Sequence, residues 1–350
     1  MKYHLALGRP IDFESIAKDA EVGSCPRHVM WGLSQQLGAT IHQPEGYSPS
    51  VLDQMRSKVS SRPEHWALAR KLSEQLDSND TILCTGEDVG IPIATLCGAK
   101  RNRPKIAVFF HNIDRPRGHL ALKMFGLANR IDLFIACASP QADFLGSYLD
   151  LPESRCWVLL DQTDTRFFTP GPPRPDKGRA TIASVGLEKR DYRLLAEATS
   201  DLDVDVKISG FSKDAIALKQ AFPETMPENM SRKFYSWPEL IQLYRDADVV
   251  AVTLTENKYA AGIQVFLEAM ATRRPVVVTR TQGLADYLAP PGIATVVNLG
   301  DAGGLRDAIA NLLNNPQAAE AQAKCGYELV LKQHSSEQYI ETLAARLASL

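Results

Sequence analysis

Short apolar runs rich in β-branched and aromatic residues recur through the first half of the chain, at Tyr3 to Leu7, Thr81 to Cys84, Ile106 to Phe110, Leu133 to Cys137 and Trp157 to Leu160. Stretches with helical spacing separate most of them, the alternation that βαβ units and a parallel sheet require. The rhythm breaks between Thr169 and Gly178, where four prolines and two glycines fall within ten residues. Such a composition continues neither a helix nor a central strand. The pattern then resumes, with strand candidates at Thr181 to Val185, Val204 to Ser209, Val249 to Thr253, Val276 to Thr279 and Ala294 to Leu299. From Asp301 the tail is almost wholly helical. Leu305, Ile309, Leu312 and Leu313 keep helical spacing, Pro316 restarts the chain, and Ser335 or Ser336 can cap a last helix through Leu347.

The pattern predicts two doubly wound α/β domains, 1–168 and 180–334, joined by a linker at 169–179, with a C-terminal helix over 335–350 able to pack back on the first domain. A length of 350 residues agrees, since it exceeds what one hydrophobic core usually organises. Open α/β sheets bind ligands beyond the carboxyl ends of their strands, so two such domains are expected to face each other across a ligand cleft.

The most informative segment lies between the strands Val249 to Thr253 and Val276 to Thr279. Ile263, Phe266, Leu267 and Met270 form one buried helical stripe, entered through Ala260-Ala261-Gly262 and closed by Pro275. Gln264 and Glu268 stand one turn apart on another face. A helix start entered through small residues offers free backbone N–H groups to an anion such as a diphosphate, with Ala260, Ala261, Gly262, Ile263 and Gln264 as candidate contacts. Glu268, one turn further in, can accept hydrogen bonds from sugar or ribose hydroxyls. Spacing alone equally allows a solvated helix glutamate and an ordinary loop glycine.

Leu267-Glu-Ala-Met-Ala271 followed by Pro275-Val-Val-Val278 resembles the retaining GT-B glycosyltransferases of the large family-four type, whose hallmark is a Glu-x7-Glu segment. Phe110-His-Asn112, Asp164-Thr-Arg-Phe-Phe-Thr-Pro170, Ser184-Val-Gly186 and Leu240-Ile-Gln-Leu-Tyr-Arg-Asp-Ala-Asp248 follow the same family's order. The resemblance implies a GT-B fold of two Rossmann-like domains and transfer of a hexose from a nucleoside diphosphate sugar, a UDP-sugar first and a GDP- or ADP-sugar after it. It implies no further cofactor and no metal. The family's first glutamate would fall at position 260, which here is Ala260, so the donor sugar is not carried over with the fold.

The resemblance also assigns roles. His111 contacts the donor sugar, with Asn112 and Asp114 beside it. Gly186 and the Lys189-Arg190 pair face the leaving diphosphate, Arg190 as the principal cation because a guanidinium suits that charge. Gly23 and Ser24, in the turn Gly23-Ser-Cys-Pro26, occupy the place of a first-domain glycine loop near donor or acceptor. Pro26 itself suits the first turn of a helix carrying Val29, Leu33 and Leu37. Apart from the resemblance, the place of Ser236 and Trp237 directly after a strand expected at Lys233 to Tyr235 has them border the base. On residue pattern alone, His111 is equally a structural histidine and the two cations a solvated surface.

Composition limits what else fits. A net charge of −2 excludes a whole-chain field for nucleic acid. From Lys100 to Arg130, however, eight Lys or Arg face one acid, Asp114, along a helical face of Leu120, Met124 and Leu127. That region either covers its own sheet or makes peripheral contact with an anionic membrane, and a saccharide, lipid or small molecule all suit as acceptor. The six cysteines form no C-x-x-C pair and no apolar run is long enough for a signal peptide or a membrane span, which points to the cytoplasm, or to its membrane face. Asp201, Asp203 and Asp205 lead into a strand and are read as a turn, not a metal site. No G-x-S-x-G, H-E-x-x-H or P-loop sequence occurs. Two other readings remain: a catalytically impaired ligand-binding or interaction protein on the same fold, and a phosphorylase or sugar-phosphate synthase.

Overall fold

A computed structural model describes residues 2–112, 116–175, 178–210 and 219–350. It divides into two compact units, one of Met1–Ala17, His28–Leu160 and Ile340–Leu350, the other of Lys18–Arg27 and Asp161–Tyr339. Up to Val158 the elements run β1 (Lys2–Ala6), α1 (Phe13–Glu21), α2 (Val29–Leu37), β2 (Thr40–His42), α3 (Val51–Ser57), α4 (Pro63–Gln75), β3 (Asp80–Cys84), α5 (Glu87–Leu96), β4 (Lys105–Phe110), α6 (Pro116–Met124), β5 (Leu133–Ala136), α7 (Ser139–Leu149) and β6 (Cys156–Val158). All six strands pair in parallel in the order β2-β1-β3-β4-β5-β6.

The second unit continues with β7 (Ala180–Val185), α8 (Tyr192–Thr199), β8 (Val204–Ser209), β9 (Met230–Arg232), α9 (Trp237–Asp246), β10 (Val249–Val252), α10 (Ile263–Ala271), β11 (Val276–Thr279), β12 (Thr295–Val297), α11 (Ala302–Asn314) and α12 (Pro316–Gln333). Its sheet, also wholly parallel, has the order β12-β11-β10-β7-β8-β9. A last helix, α13 (Ser336–Ala348), follows, its first turn capped by Ser335, which accepts from the Gln338 N–H at 3.2 Å.

The central strands are buried end to end, as in Val-Val-Ala-Val for β10, because helices cover a parallel sheet on both faces. In both sheets the direction of strand addition reverses once, between β1 and β3 in the first and between β7 and β10 in the second. Such reversals open a crevice at the carboxyl end, where ligands of α/β sheets bind.

Three local expectations need correction. β2 and β9 escape the apolar pattern, being edge strands of three residues each with little of either face buried. The strand expected at Lys233 to Tyr235 lies earlier, at Met230–Arg232. Beyond it the partner β8 ends, and Lys233 instead lays its ammonium over the Tyr235 ring at 4.4 Å. Pro26 precedes α2 rather than opening it. The cap is His28, because Arg27 is pinned outside the helix by Asp164, which accepts from its backbone N–H at 2.7 Å.

Asp164 also takes the Arg27 guanidinium at 2.5 Å, and Glu337 takes its other arm at 2.7 Å. The guanidinium holds the Asp164 carboxyl below the usual carboxylate range against a burial effect that would raise it. Losing one partner of a half-buried charged pair leaves the other unsatisfied, so Arg27→Ala is expected to destabilise the chain by about 2 kcal/mol, read from its urea unfolding midpoint. Asp203 and Asp205 pair with Arg179, and Asp201 with Arg306.

Candidate functional site

The strand reversal of the second unit brings together the loop after β7 and the loop after β10. After β7 the chain turns at Gly186, whose φ of +98° favours glycine, and a Cβ there would lie 2.6 Å from Arg190 Nη2. Arg190, 5% exposed, donates from Nε to the Val185 carbonyl at 2.7 Å and from Nη1 to the Glu188 carbonyl at 2.9 Å. The loop is thus wound around its own guanidinium, whose pKa burial lowers. Tyr192 closes it by donating its hydroxyl to the Gly186 carbonyl. Lys189, at φ +55°, is exposed.

The loop after β10 is fastened to the first by the Thr255 N–H donating to the Lys189 carbonyl at 2.8 Å and by Tyr259 Oη donating to Glu188 at 2.8 Å. It ends at Gly262, the N-cap of α10, with φ +86° and no side-chain cap. A Cβ at Gly262 would lie 3.3 Å from Arg190 Nη1 and 3.0 Å from Val252. Two left-handed glycines therefore flank one guanidinium beside an uncapped helix start, where backbone N–H groups and the positive end of the helix dipole favour an anion.

One turn into α10, Glu268 is 7% exposed. Its Oε2 accepts from the Tyr244 hydroxyl at 2.6 Å. Its Oε1 accepts no hydrogen bond among the described residues. Burial pushes this carboxyl up to about 7, against the opposing effects of the Tyr244 hydrogen bond and the Arg190 charge.

In the first unit His111 and Asn112 follow β4. The Glu87 carboxylate accepts both their backbone N–H groups, at 2.9 and 3.1 Å. His111 Nε2 lies 2.9 Å from the Thr85 carbonyl, and its ring stacks on Phe109. A carbonyl only accepts, so Nε2 carries a proton, and in the neutral ring Nδ1 is then the acceptor.

Residues 180–315 match the family described as Glycosyl transferases group 1. Anabaena HepE, solved in complex with UDP-glucose, superposes over 100% of this chain and 100% of its own, with TM-score 0.69 and 16% identity. A sucrose-phosphate synthase from Thermosynechococcus elongatus superposes over 100% and 99%, with TM-score 0.72 and 13% identity. For an alpha,alpha-trehalose 6-phosphate synthase from Burkholderia multivorans the shares are 100% and 99%, with TM-score 0.73 and 15% identity. The fold is GT-B. No curated protein sequence matches the chain.

Within the second unit of this GT-B chain, Gly186, Lys189, Arg190, Ala260, Ala261, Gly262, Ile263, Gln264 and Glu268 gather around the β7 and β10 ends. Glu268 is no solvated helix glutamate, whereas Gln264 on the same helix is exposed. Ala260 and Ala261 are buried. Ser236 donates its hydroxyl to Glu239 at 2.8 Å in the capping box of α9. Trp237 beside it is 43% exposed, its ring edge-on to Phe167 and Phe168. Gly23, at φ +74°, and Ser24 form an exposed turn after α1. Asp114 lies outside the described residues. Among those described, no group of three His, Cys, Asp or Glu could hold a metal ion, and no helix is long and apolar enough to cross a membrane.

Sequence reasoning misses Tyr244, Tyr192, Thr85 and Glu87. Tyr244 reads as one more apolar position in the stripe Leu240, Leu243, Tyr244, and only the packing of α9 against α10 gives its hydroxyl a partner.

Proposed function

We propose that this protein is a retaining glycosyltransferase that takes a hexose from a nucleoside diphosphate sugar, a UDP-sugar before a GDP- or ADP-sugar, and passes it to a saccharide, lipid or small-molecule acceptor. The carrying observation is the β7/β10 crevice, where Gly186 and Gly262 flank the Arg190 guanidinium and Glu268 keeps one carboxylate oxygen unengaged. In this reading the diphosphate lies against the Gly262-Ile263 backbone with Lys189 and Arg190 supplying positive charge, and Glu268 accepts from the ribose hydroxyls. The acceptor oxygen bonds to the sugar's anomeric carbon on the face from which the phosphate oxygen departs, and its proton passes to that phosphate. Stabilising the charge that builds on the leaving diphosphate supplies most of the rate. For the first unit we propose a sugar-binding role centred on His111, whose Nδ1 accepts from a hydroxyl.

A sugar phosphate as acceptor is a second reading, favoured by the sucrose-phosphate and trehalose 6-phosphate synthases among the similar structures. Incubation with a panel of UDP-, GDP- and ADP-hexoses, with and without sugar phosphates, tests both. Nucleoside diphosphate release from one donor supports transfer, and its dependence on a sugar phosphate favours the second reading. No release with any donor, together with no thermal shift by any nucleoside diphosphate, overturns both. Lys189→Gly keeps the left-handed backbone and removes an exposed cation. It is expected to lower kcat/KM by about fivefold, with the difference shrinking as salt is added.

A further inference from the structure

Tyr244 is wholly buried in α9, with its ring set against Phe168 at 6.1 Å and 75°. A phenylalanine would fill the same space. A buried hydroxyl needs a partner, and the hydrogen bond of this one goes to Glu268 Oε2, 24 residues along the chain, at 2.6 Å. The geometry points to Tyr244 as the positioning residue for Glu268: its hydroxyl holds the carboxylate by Oε2 and so presents Oε1 to the vicinal diol of a ribonucleotide. This inference rests on the nucleotide-binding reading above and extends it to how ribose is told from deoxyribose.

The charged and titratable groups that act on Glu268 are Tyr244 from α9 and Arg190 from the loop after β7, while Tyr192 of α8 and Glu188 act on Arg190. Burial favours the protonated carboxyl, and the donated hydroxyl opposes it. Removing the hydroxyl therefore frees the Glu268 rotamer and extends protonation to higher pH. Both changes weaken acceptance from a ribose diol.

The test uses the whole chain as wild type, Tyr244→Phe, Glu268→Gln and the double variant Tyr244→Phe/Glu268→Gln. Without ligand, the pH dependence of the thermal midpoint, taken as the difference from the matching chain carrying Glu268→Gln, reports the Glu268 titration. In Tyr244→Phe that titration is expected to move up by about one pH unit. With ligand, wild type is expected to bind UDP about tenfold more tightly than 2′-deoxy-UDP, and Tyr244→Phe to lose most of that preference. An unmoved titration with the preference intact in Tyr244→Phe overturns the inference while leaving the nucleotide site standing. A wild type that binds neither nucleotide overturns the nucleotide reading and the ribose role with it.

Discussion

Replacing Glu268 with glutamine is expected to stabilise the chain by about 3 kcal/mol at about pH 8 and to leave its stability unchanged below about pH 4. The folded carboxyl titrates at about 7, well above its ordinary range, because burial disfavours the charge. Its contribution to stability is therefore complete below the ordinary carboxylate range and is lost as pH rises through about 7. Glutamine does not ionise and escapes that loss. In a unit of this size the gain corresponds to a rise of about 6–12 °C in the thermal midpoint at the alkaline end. The same substitution is expected to weaken nucleoside diphosphate binding, since an amide oxygen is a poorer acceptor than a carboxylate. Opposite signs for stability and affinity are the mark of a buried charge retained for a ligand. Equal thermal midpoints of the two proteins across the pH range would show that Glu268 is not held in this buried setting.

Gly283→Ala is expected to lower stability by about 3 kcal/mol and to impair donor binding together with it. Gly283 follows β11, and a Cβ there would sit 1.9 Å from the Tyr259 carbonyl oxygen and 2.7 Å from the Tyr259 nitrogen. The obstacle is backbone, so no side chain can swing aside. Relief requires the segment 255–262 to move, and that segment is tied by Tyr259 to Glu188 and by Thr255 to Lys189, then ends at Gly262. A thermal shift assay with and without UDP checks both parts of the prediction. Gly283→Ala binding UDP with unchanged affinity would separate the loop from the site.

The apolar runs reveal the interior strands because each is buried on both faces, so β10 and β11 can be read as continuous hydrophobic segments. Edge strands such as β2 and β9 carry no such signal. The α10 stripe of Ile263, Phe266, Leu267 and Met270 marks the helix and its entrance at Gly262, but it suggests that the Glu268 face meets solvent. That face is covered by tertiary packing, since α9 brings the Tyr244 hydroxyl to Glu268. The contact has no local signature. The pair Lys189-Arg190 is likewise ambiguous in sequence: Lys189 is exposed, while Arg190 is buried and bonded into the β7 loop.

Calorimetric titration of UDP, GDP and ADP into wild type and Glu268→Ala, at about pH 8 where the carboxylate is ionised, shows whether Glu268 holds a nucleotide. Saturable binding of at least one nucleoside diphosphate by wild type is expected, with a loss of roughly 100-fold in Glu268→Ala, the effect of removing a charged acceptor shared by two hydroxyls. Equal affinity in the two proteins, or no binding of any of the three by wild type, would contradict it.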